Sequence, residues 1–530
     1  MTSKHSPTEQ QQGIIDEHAR GNASVMVVAG AGCAKSSTLR MSAPGVRCPA
    51  LSLAFNRSIA LEMKEGKPSE GIAPLPPNFE VKTMNGLGHS AFARAHPGLS
   101  IRLDDRKVGK LITEVLKERG IKTAQDDWGK ILGLVRAAQQ AGIVPHDEGN
   151  FLLPDDEYSW GDLADGLWLD QGERGMLIEV AHEALRRSNA LTLQGTLSFD
   201  DQIYASLMLG GQFGQFPHVF VDEAQDLNPL NHLMVERSLR PGGRLTVVGD
   251  PKQAIYGFRG ADPRSMGSMR RLRAQWADHL LSLTFRCPHV VVERQWGHFP
   301  EFRAHASNIR GEFSVLDPWT DDGEVPSRWT AIDLLSRAAP GSVPAILCKN
   351  NAPLFSLAFK LLRQGIGVTM LGRDIGKGLQ DLAKKLFKPE MGAAQCVAEL
   401  AKWRDHEVAI ALANEDDKKA DSLHDRAECL LAVFAGGARD GADAQRAIEK
   451  LFASDNGRVV LSTIHKAKGL EWDTVLILDP WRIPSKRARQ EAEAGRPETL
   501  EQELNLQYVG ETRSKRVLLH ASLARFKSDL

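Results

Sequence analysis

The chain has 530 residues, of which 42% are hydrophobic and 25% charged, values that exclude a disordered or fibrous polymer and call for several globular domains. With 66 Lys and Arg against 67 Asp and Glu the formal net charge is −1, so a polyanionic partner has to be met by a local channel rather than by the whole surface. The six cysteines show no C-x-x-C spacing, which argues against a zinc–thiolate site, and no apolar run is long enough to span a membrane. The polar start, MTSKHSPTEQQQ, reads as carrying no signal peptide, and a cytoplasmic protein is expected.

Short runs rich in Val, Ile and Leu occur at residues 25–28, 51–55, 218–221, 245–248, 345–347, 459–461 and 475–478, with helix-like segments between them. Buried strands alternating with helices predict parallel α/β sheets. The first run leads into VVAGAGCAKSS, where a strand ends in a glycine-rich turn followed by Lys35 and Ser36. Such a turn suits a triphosphate: backbone N–H groups and the helix dipole face the phosphates, Lys35 reaches the terminal ones, and the Ser36 hydroxyl takes Mg²⁺. Ala34 stands where the pattern has glycine before the lysine, and Ala29 replaces the first glycine. If Ala34 has helical angles its methyl is tolerated, whereas a positive φ costs about 1 kcal/mol or more. Cys33 lies near a helix N-terminus, where a thiol pKa falls, so its modification is expected to block ATP.

Residues 92–197 read mainly as helix, with segments such as VGKLITEVLKER and DWGKILGLVRAAQQ. The run HVFVDEAQD then offers Asp222 for Mg²⁺ and Glu223 as catalytic base, although an Asp–Glu pair also serves to cap a helix. In LTVVGDPKQAIYGFRGAD, Gln253 is placed to reach the γ-phosphate, and Tyr256 and Phe258 offer flat faces for stacking bases. A second helical, charged stretch covers residues 377–455, and residues 320–327 and 491–497 read as surface loops.

Four motifs, AGAGCAKSS, VDEAQD, VGDPKQAIYGFRGA and STIHKAKGLEWDTV with LQYVGETRSK, carry a resemblance to the UvrD/Rep-like superfamily 1 helicases that runs nearly end to end. The short second insertion is similar to that of compact phage and bacterial helicases and of the helicase part of F-box helicases. The resemblance implies two RecA-like parallel-sheet motor domains, each with a mainly helical insertion and with ATP held between them. The expected boundaries are 1–91 and 198–275 for the first motor with insertion 92–197, and 276–376 and 456–530 for the second with insertion 377–455.

The resemblance also assigns residues. Gln10 recognises adenine, although three adjacent glutamines leave the register open. Gly30, Ala31, Gly32, Cys33, Ala34, Lys35, Ser36 and Ser37 wrap the phosphates. Arg286 and Arg513 neutralise charge at the γ-phosphate, Phe285 lies beside the adenine, and Glu471 touches the nucleotide sugar or couples it to DNA. Phe55, Asn56, Thr83, Asn85, Phe258, Lys349, Asn350, Thr463 and His465 are the implied single-strand contacts. Glu511 and Ser514 depart from the small or apolar residues usual at their positions. The activity implied is an ATP- and Mg²⁺-dependent DNA helicase moving 3′ to 5′ on single strands and at single-strand/duplex junctions. The rival readings are a translocase that displaces proteins or drives a nuclease, and an ATP-binding switch without hydrolysis. Protein partners are expected to dock on the helical insertions.

Overall fold

The computed structural model describes residues 6–527 apart from 22, 55, 68–71, 122–124, 147–150, 168, 170, 256–263, 318–327, 414–416, 454–456 and 496. It resolves into two compact units, one formed by Met1–Ala29 with Ala34–Leu281 and the other by Gly30–Cys33 with Ser282–Leu530.

The first unit is built on a six-stranded sheet of β1 (Ser24–Ala29), β2 (Ala50–Ala54), β3 (Phe79–Thr83), β4 (Phe216–Val221), β5 (Leu239–Gly249) and β6 (Trp276–Leu281), in the order β3-β2-β4-β5-β1-β6. Every pairing is parallel. The inner strands bury both faces, which is why they read as unbroken apolar runs: β2, ALSLA, has no residue accessible to solvent. The helical insertion does not form a separate core. Leu51, Leu53, Val219, Val221 and Val247 belong to the same apolar cluster as Val108, Ile112 and Val115 of the helix Lys107–Glu118. That helix buries Val108, Leu111, Ile112, Val115 and Leu116, the spacing of one helical face, and exposes Lys110, Glu114 and Lys117. At its start the buried Lys107 ammonium sits 2.5 Å from Asp201 and donates to Ser188 O, Thr192 Oγ1 and Thr196 O. A buried charge pair persists only when its remaining donors are satisfied in this way.

The second unit repeats the plan with β7 (Glu312–Val315), β8 (Ala345–Cys348), β9 (Val368–Met370), β10 (Val459–Thr463), β11 (Trp472–Leu478) and β12 (Ser514–Ala521), ordered β7-β12-β11-β8-β10-β9 and again all parallel. Its inserted helices Arg373–Leu386, Ala393–Ala413, Asp417–Ala435 and Gly441–Ala453 contribute Leu379, Leu400, Leu430 and Ile448 to a cluster shared with Ile346 and Leu461 of the sheet.

All seven expected runs fall on strands, except that Phe55 lies outside the described residues. The division differs from the expected boundaries at two places, Gly30–Cys33, which group with the second unit, and the start of that unit. Residues 276–281 form β6, which pairs with β1, so this segment belongs to the first sheet rather than to the second unit.

Candidate functional site

In a parallel sheet the carboxyl ends of neighbouring strands share one edge, where ligands of open α/β sheets bind. Pairing of Val28 with Gly249 and of Val221 with Val247 brings the exits of β1, β5 and β4 to that edge of the first sheet. The exits of β4 and β5 carry Asp222 and Asp250, each directly after the last apolar residue.

The turn after β1 keeps Gly30, Ala31 and Cys33 buried, and Gly32 has φ +69°. Ala34 has φ 58° and ψ 38°, the left-handed region, and sits at the N-cap of the helix Lys35–Ser42 without a side-chain cap. The methyl at this position is therefore strained, by about 1–2 kcal/mol, where glycine would not be. The helix begins with Lys35, Ser36 and the exposed Ser37, leaving first-turn N–H groups and the dipole to face an anion. Cys33 is buried.

Polar bonds link the three strand ends. Ser36 Oγ donates to Asp222 Oδ2 at 3.0 Å, and Lys35 Nζ lies 3.5 Å from Glu223 Oε1. Gln225 Nε2 donates to Glu223 Oε2 at 2.6 Å while its Oε1 accepts the Asp250 N–H at 2.9 Å. Gln253 Nε2 donates to Asp250 Oδ2 at 2.6 Å. Sequence reasoning gave no role to Gln225 or Asp250. The placement of Asp250 immediately after a buried strand, as with Asp222, was the available signal.

Burial raises the Asp222 carboxyl to about 6, and the Glu223 charge adds to the rise while Lys35 and Ser36 oppose it. Burial likewise raises Asp250, with Lys35 and Gln253 opposing. Lys35 thus offsets carboxylates on two strands without matching their combined charge. A hydroxyl and a carboxylate, both hard oxygens, in a field left short of positive charge fit a small divalent cation such as Mg²⁺. Glu223 has φ 52° and ψ 41°, a conformation that costs a non-glycine residue about 1–3 kcal/mol and that concentrates at functional sites.

Gln10 is half-buried, and its neighbour Gln11 is buried. Gln11 Nε2 donates to Thr38 Oγ1 at 3.1 Å and its Oε1 closes a capping box with Thr8, so Gln11 ties the first helix to the helix of the phosphate turn.

In the second unit Arg286 Nε lies 2.5 Å from Glu471 Oε2. Phe285 is 39% exposed, with its ring centroid 4.7 Å from that of His305. Arg513 is buried and turns inward: Nε donates to Val509 O at 2.9 Å, and the two terminal nitrogens donate to Leu470 O and Thr512 Oγ1. Arg286, Glu471 and Arg513 therefore converge around the segment before β11. The unusual Glu511 has a structural explanation. It is buried and accepts hydrogen bonds from Arg294 at 2.7 and 3.0 Å and from Gln295 at 2.7 Å. Burial pushes its carboxyl up, but His520 Nε2 at 3.3 Å and the Arg294 guanidinium outweigh this and hold it at about 2.

Several residues expected at DNA stand where strands give way to helices. Asn56 Oδ1 accepts the Ile59 N–H after β2, and Thr83 Oγ1 accepts the Gly86 N–H after β3. Asn85 Nδ2 donates to Phe199 O. Asn350 and the buried Thr463 occupy N-caps after β8 and β10 without a side-chain cap bond, and His465 lies in the short helix that follows. Lys349 Nζ is 2.7 Å from Glu503. It borders a cleft of about 650 Å³ with Asn350 and Trp481, a 63% exposed ring under the Arg482 guanidinium that the sequence reading did not single out. Phe55, Tyr256 and Phe258 lie outside the described residues.

Two family models match the chain: the UvrD/REP helicase N-terminal domain over residues 169–272 and the UvrD-like helicase C-terminal domain over residues 444–524. Over these two segments the chain is similar to UvrD-like helicases. Within this UvrD-like chain the first match takes in Asp222, Glu223, Asp250 and Gln253, and the second takes in Thr463, Glu471 and Arg513. The chain is 25% identical over 312 residues to F-box DNA helicase protein 1 of Schizosaccharomyces pombe, covering 58% of this chain and 34% of the relative. It is 28% identical over 392 residues to ATP-dependent DNA helicase UvrD2 of Mycobacterium tuberculosis, covering 63% of this chain and 52% of the relative. With F-box DNA helicase 1 of Gallus gallus it shares 23% identity over 97% of this chain and 48% of the relative. The chain thus spans about a third to a half of the length of the relatives it matches. Among the described residues no helix is long and apolar enough to cross a membrane.

Proposed function

We propose that this UvrD-like chain is an ATP- and Mg²⁺-dependent DNA motor that moves 3′ to 5′ along a single strand and separates duplex at a junction. The observation that carries the reading is the joined edge of the first sheet, where Lys35, Ser36, Asp222 and Glu223 meet within hydrogen-bond or ion-pair distance. The family likeness supports the DNA substrate, and the direction is part of the proposal.

ATP with Mg²⁺ supplies the transferable γ-phosphoryl group. The amides before and within the first turn of helix Lys35–Ser42, from Gly30 to Ser37, bind phosphate oxygens, and Lys35 exchanges its Glu223 contact for them. Ser36 and Asp222 hold the cation, and Glu223 accepts the proton of the attacking water. Gln225 keeps the Glu223 carboxylate oriented through its bond to Oε2, and Gln253 is fixed by Asp250 to reach the phosphates. Gln10 and Phe285 are assigned to the base and Glu471 to the sugar. Arg286 and Arg513 are assigned to the charge that spreads over the phosphoryl oxygens during transfer, Arg286 giving up Glu471 to do so. Asn56, Thr83, Asn85, Lys349, Asn350, Thr463 and His465, with Phe55, Tyr256 and Phe258, are assigned to the strand.

Strand-stimulated ATPase activity together with unwinding of 3′-tailed and 5′-tailed duplexes tests motor, substrate and direction at once. Unwinding of the 3′-tailed duplex alone is expected. Strand-stimulated ATPase without unwinding of either duplex would replace the helicase by a translocase, and ATP binding without hydrolysis would leave a switch.

A further inference from the structure

Within the helical insertion of the first unit, His146, Asp155 and His182 converge, and none of them has a part in the nucleotide chemistry. One ligand atom from each, two ring nitrogens and a carboxylate oxygen, lie within 4.8 Å of one another. The three come from two pieces of chain: His146 and Asp155 from the segment between helices Gln125–Ala141 and Glu157–Gly166, and His182 from the middle of helix Gln171–Leu193.

Asp155 organises the cluster. Its Oδ2 is 2.9 Å from His182 Nε2 and accepts the backbone N–H of His146 at 3.0 Å, while its Oδ1 accepts the Trp160 indole N–H at 2.8 Å. Burial raises the carboxyl, but the bonds from the His146 N–H, His182 and Trp160 outweigh it and hold the group below its ordinary value. An ionised carboxylate therefore faces two imidazoles at neutral pH. A simple His–Asp hydrogen bond accounts for His182 but not for His146, whose ring stands edge-on to that of His182 with centroids 4.9 Å apart. The His146 backbone is also in the left-handed region, at φ 61°, which aims a histidine where an ordinary turn residue would suffice.

We propose that His146, Asp155 and His182 form a binding site for a borderline divalent transition ion of the Zn²⁺ type. Two imidazole nitrogens with one carboxylate select such ions over Mg²⁺ or Ca²⁺, which take oxygen ligands, and the set contains no sulfur to favour Cu(I). Three protein ligands leave the fourth tetrahedral position to water. The Trp160 N–H holds Oδ1 and leaves Oδ2 for the ion, the outer hydrogen bond that metal-bound carboxylates use. Binding at His182 Nε2 requires the ring's single proton to move through solvent from Nε2 to Nδ1, so the ligand remains a neutral imidazole. The half-buried Asp155 and His182 form the fixed side of the site, and the exposed His146 rotates to close it. Occupancy ties the segment that carries His146 and Asp155 to helix Gln171–Leu193, so its consequence is stability of that subdomain and not hydrolysis.

The test uses the full chain without a histidine tag, stripped of metal and titrated with Co²⁺ or Zn²⁺ in excess Mg²⁺. The expected results are about one equivalent of Zn²⁺ retained through gel filtration, visible absorption of tetrahedral Co²⁺, and a higher melting temperature with either ion. His182→Gln and His146→Asn are expected to abolish retention and the Co²⁺ band. Trp160→Phe is expected to weaken affinity about tenfold or more. His146→Asn tolerates the left-handed backbone, so it decides the matter even if His182→Gln does not fold. No retained ion in the wild type, or retention unchanged in His146→Asn, would overturn the site.

Discussion

The two sheets place acidic residues near their functional edges in opposite ways. In the first unit Asp222 and Asp250 are buried with too little positive charge around them, and burial raises both carboxyl groups, Asp222 to about 6. In the second unit Glu511 is as deeply buried but is clasped by Arg294, Gln295 and His520, and its carboxyl is held at about 2. The first edge is left short of a cation, and the second is complete without one. On the proposed function the first cluster serves chemistry and the Glu511 cluster mechanical support, so substitutions in the two clusters are expected to separate activity from stability.

The largest effect is expected at Lys35. Lys35→Ala removes the cation that offsets Asp222 and Asp250 and the group assigned to the phosphates, so ATP turnover should fall about a thousandfold, measured as phosphate release with saturating single strand. A drop in stability with turnover kept would erase the distinction between the edges. Glu511→Ala is expected to act on stability. It leaves Arg294 with its carboxylate partner gone and should cost about 3 kcal/mol in denaturant unfolding. Because the folded value lies below the ordinary 4.5, the Glu511 contribution is full above about 4.5 and is lost as pH falls towards 2.

Asp222→Asn sharpens the comparison in the other direction. The folded Asp222 binds its proton more tightly than the unfolded one does, so its contribution is full below 3.8 and is lost as pH rises through about 6. At neutral pH without Mg²⁺, Asp222→Asn should therefore stabilise the chain by about 2 kcal/mol while removing hydrolysis. The wild type should regain stability on adding Mg²⁺ with nucleotide, and the variant should not. The smallest expected effect is at the phosphate turn. Ala34→Gly relieves the left-handed alanine at some cost in chain entropy, giving a net gain of about 0.5 kcal/mol by thermal unfolding, with ATP binding kept.

What was legible in the sequence follows burial. Inner strands such as ALSLA and HVFV are apolar on both faces and announce themselves, and the residue just past each of them was read as functional at Asp222. Within the two six-stranded sheets, four of the five unannounced strands, Phe79–Thr83, Trp276–Leu281, Glu312–Val315 and Val368–Met370, are sheet edges. Edge strands have one paired side and mixed polarity, as in FEVKT and WADHLL, so no apolar run marks them. The fifth, Ser514–Ala521, opens with polar SKR and turns apolar only afterwards. At the site, Lys35, Ser36 and Glu223 were legible because their chemistry is local to a motif. Gln225 and Asp250 were not, because their part is to bridge two strand ends that only the sheet order brings together. His146, Asp155 and His182 escaped because only the packing of the inter-helix segment on helix Gln171–Leu193 brings His182 to the other two, and their spacings of nine and 27 residues match no metal-ligand motif.

The most direct test of the central claim is single-strand-stimulated phosphate release by Glu223→Gln beside nucleotide binding by the same protein. With Glu223 as the proton acceptor, turnover should fall by about 10²–10⁴ while ATP affinity is retained. Turnover close to the wild-type rate would contradict the assignment of the catalytic edge to the first sheet.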